Sequence, residues 1–67
     1  MNNAQPRLWD SAQVAEFTGL TVHAVAHLRR SGRGPAFSRL GKHVRYTPGD
    51  VRRWVDQNKT TPEGNTP

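Results

Sequence analysis

The stretch "VAEFTGLTVHAVAHLRRSG" (residues 14–32) decides how this 67-residue chain is read. Its apolar positions fall at helical spacing in two short runs, joined by only a few residues around Gly19. In the first run Val14, Ala15 and Phe17 supply the inward face of a helix over roughly residues 11–18. Asp10 precedes that run with Gln13 three residues later, a capping-box pattern, and Leu8 or Trp9 is available as a hydrophobic staple. Gly19 stands where a left-handed residue stops a helix. Leu20 reads as a buried residue of the turn, and Thr21 as the N-cap of a second helix. Val22, Val25, Ala26 and Leu28 give that helix its spacing, and Ser31-Gly32 end it.

Working outward, "RGPA" breaks the helical pattern, because Pro35 biases Gly34 toward an extended conformation. "AFSRLGKHVRYT" then changes to period two, with Phe37, Arg39, His43 and Arg45 expected on one face of a hairpin. Ala36, Ser38, Leu40, Val44 and Tyr46 are expected on the other, around a type II′ turn at Gly41-Lys42. Thr47-Pro48-Gly49-Asp50 starts a third helix, with Thr47 as N-cap, proline at the first helical position and an apolar stripe of Val51, Trp54 and Val55. Phe37, Leu40 and Tyr46 are expected to pack the hairpin on the core, and Trp9 and Trp54 to belong to that core. Residues 1–7 read as a flexible arm, 8–58 as the folded unit and 59–67 as a disordered tail. The order helix, tight turn, helix, hairpin, helix is mainly α with a small β-hairpin, a winged helix-turn-helix. The corner has what that motif requires: small Ala15 at the crossing, Gly19 free to take positive φ, and Val14, Leu20, Val25 and Leu28 bracketing it.

Charge narrows the function. Ten Lys and Arg against five Asp and Glu give a formal +5, but residues 29–53 hold eight basic side chains against Asp50 alone. A basic block inside a folding unit points to a polyanion, nucleic acid before membrane. The chain has no cysteine and no apolar run near ~18 residues, so a soluble protein of the bacterial cytoplasm, nucleoid-associated, is expected, with no membrane partner. Catalysis is not expected, since no P-loop, nucleophile elbow or carboxylate pair is present. His23 and His27 have the i, i+4 spacing of a zinc pair, but Ala24 follows His23 where HExxH has its acid, so no metal or other cofactor is assigned. RNA is disfavoured because the hairpin offers no aromatic platform.

Placed in a major groove, the second helix directs its N-terminal and outward positions at base edges. Those are Thr21, Val22, His23, Ala26, His27 and Arg30, with Arg29 and Arg30 also able to hold phosphates. The histidines donate to guanine acceptors, Val22 or Ala26 touches a thymine methyl, and Arg30 pairs with guanine or phosphate. The hairpin brings Lys42 and His43 to the neighbouring backbone or minor groove, flanked by Arg39 and Arg45. The partner these features fit is double-stranded DNA.

The segments "VAEFTGLTVHAV", "GPAFSRLGKHVRY" and "TPGDVRRWV" resemble the small winged helix-turn-helix proteins of the excisionase and MerR-like superfamily, across residues 8–55. Phage and mobile-element excisionases (recombination directionality factors) and AlpA-like prophage regulators belong to it. The resemblance implies a major-groove helix carrying Thr21, His23, His27 and Arg30, and a minor-groove wing carrying Lys42, His43 and Arg45. It also implies a site-specific integrase as partner, with several copies of the protein together on bent DNA. The alternative is a small transcriptional regulator at one promoter, which uses the same residues. A ligand-sensing mechanism of the MerR type is not expected, because the sequence stops soon after Trp54, where those regulators continue into a dimerisation helix.

Overall fold

The computed structural model describes residues 7–61. The expected arm lies outside the described residues except for Arg7, as does the expected tail except for 59–61, which belong to no helix or strand. The chain runs through helix α1 (Ser11–Thr18), helix α2 (Val22–Ser31), strands β1 (Ser38–Leu40) and β2 (His43–Arg45), and helix α3 (Pro48–Gln57). This is the mainly helical, winged helix-turn-helix architecture expected from the sequence.

Each helix starts where its cap permits. The Gln13 amide donates to the Asp10 carboxylate and the Asp10 amide to the Gln13 side chain, both at 2.9 Å, completing the capping box of α1. Gly19 closes α1 at φ 80, a left-handed conformation that costs a Cβ-bearing residue about 1–2 kcal/mol. Its amide donates to the Ala15 carbonyl at 2.8 Å, so the chain reverses within one residue of the helix end. Thr21 then caps α2, its hydroxyl accepting from the Ala24 amide at 3.0 Å. Thr47 occupies the equivalent position before α3, but its hydroxyl makes no cap bond. Only its carbonyl serves there, accepting from the Asp50 and Val51 amides.

The core is small and draws on every part of the fold. Val14 and Ala15 of α1, Val25 of α2, Tyr46 after the hairpin and Val51 of α3 are buried together, with Trp9 and Val44 packed against them. Trp9, not Leu8, is therefore the apolar residue that braces the start of α1. Trp9 and Tyr46 exchange two backbone hydrogen bonds, each 2.8 Å, which tie the chain before α1 to the end of the hairpin. Tyr46 is the largest fully buried side chain, and its hydroxyl has no partner among the described residues. Ring packing therefore holds it in place.

Several expected core positions are not buried. Phe17 is 46% exposed and Leu20 39% exposed, so the buried part of α1 is limited to Val14 and Ala15. Phe17 instead lies beside Trp9, ring centroids 5.2 Å apart. Trp54 is half-buried, its indole N–H donating to the Arg33 carbonyl at 2.8 Å, and Val55 is exposed.

The two capping threonines give a direct contrast. Thr21→Ala should lower stability by about 1 kcal/mol, seen as a fall in thermal midpoint of about 4–8 °C for a domain this small. Thr47→Ala should lose well under half of that by the same circular-dichroism melt; equal losses would contradict the cap assignments.

Candidate nucleic-acid interface

Rotation of about 100° per residue sets His23, Ala26, His27 and Arg30 on one stripe of α2, opposite buried Val25. His23, His27 and Arg30 are exposed and Ala26 is half-buried. Thr21 and Val22, at the helix N-terminus, are also exposed. Arg29 sits differently from Arg30. It points along the α2 side that faces the hairpin, half-buried, with its Nε buried and its guanidinium 6.0 Å from the centre of the Phe37 ring.

The hairpin pairs Ser38 with Arg45, Arg39 with Val44 and Leu40 with His43. Residues paired across strands share a face, and a two-residue turn pairs odd positions with even ones. Phe37, Arg39, Val44 and Tyr46 therefore face the core, while Ser38, Leu40, His43 and Arg45 face away from it. The expected grouping of Arg39 with His43 and Arg45 is overturned by this register, as is the grouping of Leu40 with Val44 and Tyr46. Arg39 accordingly lies 5.8 Å from the Phe37 ring centre, on the side opposite His43. Phe37 reaches Tyr46, centroids 6.2 Å apart, yet stays 39% exposed, and Leu40 is 49% exposed. Neither is the buried packing residue expected from the sequence.

Lys42 and His43 are exposed at the tip. Arg45 is half-buried, with Nη1 donating to the Val44 carbonyl at 2.8 Å. Gly41 has φ 66 and no other residue type among those described has positive φ, so Lys42 does not. A positive value at the first turn position alone is the type II′ signature read from the sequence.

The basic side chains fall into three groups. Arg30, Lys42 and His43 are exposed on α2 and the wing tip, while Arg29 and Arg39 flank Phe37 between them. On α3, Arg53 pairs with Asp50 at 3.0 Å, and Arg52 lies 5.8 Å from the ring centres of both Trp9 and Phe17. Sequence reasoning missed Phe37 as the side chain that gathers two guanidiniums between helix and wing. The signal was an aromatic lying between Arg33 and Arg39 in the sequence, read there only as a packing residue of the hairpin. Among the described residues no cluster of three or more His, Asp or Glu side chains is placed to hold a metal, and no helix is long and apolar enough to cross a membrane.

The turn assignment has a sharp test in Gly41. A Cβ there meets nothing within 4 Å, so the cost of substitution is torsional. Gly41→Ala and Gly41→Asn should both lose about 1–3 kcal/mol in denaturant unfolding, because the first position of a II′ turn lies in a region open essentially to glycine alone. Asn as stable as the parent would indicate a type I′ turn and contradict the assignment.

No curated protein matches the chain significantly. A family model described as a helix-turn-helix domain matches residues 10–59, from the cap of α1 to just beyond α3. That match covers most of the sequence and includes the α1–Gly19–α2 corner, the outward stripe and the wing, so the chain belongs to the helix-turn-helix domain family and is a sequence-specific DNA-binding domain.

Proposed function

We propose that this protein is an accessory factor of site-specific recombination, an excisionase that directs an integrase toward excision. The observation that carries the reading is the exposed pair of surfaces on one small body: the α2 stripe of His23, Ala26, His27 and Arg30, and the wing tip of Lys42 and His43. In this reading α2 enters the major groove, with Thr21 and Val22 at its leading end, and the wing follows the neighbouring minor groove. Arg29, Arg39 and Arg45 act from behind the front line, holding phosphates beside the wing. A single module of this kind buries only about 600–1,000 Å² on DNA, which limits its affinity and specificity. Several copies on adjacent sites, bending the duplex between them, supply what one copy lacks. The chain performs no chemistry; strand exchange belongs to the integrase on the bacterial nucleoid.

Selection of bound duplexes from a random pool, at two salt concentrations, tests this reading. Tandem direct repeats with stepwise cooperative shifts support it, whereas a single or palindromic site favours a promoter regulator acting as a two-fold dimer. No enriched sequence would remove both.

The residue roles have their own expected outcomes. If five phosphates are neutralised, log K should fall with log salt at a slope of about −4.5, and Lys42→Ala should reduce that slope by about 0.9. Arg30→Ala should cost about 1–3 kcal/mol and relax preference at one base position. Unchanged affinity and preference would take Arg30 out of the interface.

A further inference from the structure

The outer face of the wing holds one apolar residue. Ser38, His43 and Arg45 are polar, as expected for the side of a hairpin turned away from the core. Leu40 breaks that alternation. It is 49% exposed, as far open as any large hydrophobic side chain of the described residues, and it lies in the last ladder pair before the Gly41-Lys42 turn. The core does not use it: Val44 and Tyr46 make the wing's contacts with the interior, and Phe37 contacts Tyr46 from the same inner face. On that outer face His43 lies directly across the ladder and Arg45 belongs to the next pair but one, with Lys42 in the adjoining turn, while Arg39 faces the other way.

Resting on the wing-in-minor-groove reading above, we infer that Leu40 is a wedge that enters between base pairs from the minor groove and kinks the duplex at the wing. An apolar side chain at a hairpin tip, with Lys42, His43 and Arg45 nearby, suits the minor groove, which presents phosphates along both rims and base edges at its floor, the stacked base faces being reached by parting one step. The cations hold the walls while the isobutyl group replaces base–base contact at one step, the pattern by which minor-groove proteins kink DNA by about 20–90°. The unstacking costs a few kcal/mol per step, and flexible pyrimidine–purine steps reduce that cost. Leu40 therefore confers sequence preference at a position it does not hydrogen-bond. It also supplies a local source for the bend that the proposed assembly requires.

The test uses the full chain and a duplex recovered by the selection, carrying 2-aminopurine in turn at each step under the wing. The parent protein should raise fluorescence at one step and bend the duplex, read by end-to-end energy transfer. Leu40→Gln keeps the side-chain length and removes its apolar end. It should abolish the fluorescence rise and remove at least half of the bend while leaving the salt slope unchanged, because no charge is altered. Leu40→Phe should restore both signals. Exposure of the site protects the fold in all three proteins, and their thermal midpoints should agree. A Leu40→Gln protein that bends DNA and unstacks the same step as the parent overturns the wedge and leaves the recombination reading standing. A parent protein that enriches no duplex overturns that reading, and the wedge with it.

Discussion

Two backbone hydrogen bonds between Trp9 and Tyr46 set the geometry on which everything else depends. They join the residue before the α1 cap to the residue that ends the wing and leads into α3. The buried Tyr46 ring fills the space between the helices at that point. A chain of this length buries only about 60% of its unfolded surface, so few contacts are available to fix one element against another. Here the same residue anchors the wing and completes the core. Together with Val25 in the core and the Arg29–Phe37 contact, that junction holds the outward stripe of α2 and the wing tip on one body.

Electrostatics then sorts the arginines by what lies beneath them. Arg29 and Arg39 converge on Phe37, and Arg52 covers Trp9 and Phe17. Contacts of this kind are worth about 0.5–1 kcal/mol each at exposed sites. They also orient side chains that would otherwise lose rotamer entropy on meeting phosphate. Arg53 spends its charge on Asp50, an exposed pair that adds little to stability. In the proposed docking the net positive charge attracts DNA as a whole, and the exposed Arg30, Lys42, His23, His27 and His43 set how the molecule sits on it.

Local chemistry was legible in the sequence wherever one residue type decides the outcome. The Asp10–Gln13 capping box, the left-handed Gly19, the Thr21 cap and the II′ turn at Gly41 each follow from what a single side chain permits. Burial was less legible, because helical spacing selects a face and does not say how much of it a small partner can cover. Phe17 shares the helical face of Val14, and Leu20 sits in the turn, yet both stay exposed, Phe17 lying beside Trp9. The wing faces were misassigned for a geometric reason: parity along a strand reverses across a two-residue turn, so Arg39 pairs with Val44 and Leu40 with His43. That reversal moved Leu40 from an expected core contact to the outer face. It also separated Arg39 from His43, a division in the candidate site that composition and charge do not carry.

The central claim is that the outward side of α2 and the tip of the wing together meet DNA. Titrating isotope-labelled protein with a selected duplex and following backbone amide chemical shifts measures this directly. The account predicts the largest shifts over residues 21–30 and 40–45, with little change at Arg52, Arg53 and the exposed Phe17 edge of α1. Shifts concentrated on α3 and the Trp9–Phe17 surface would contradict it.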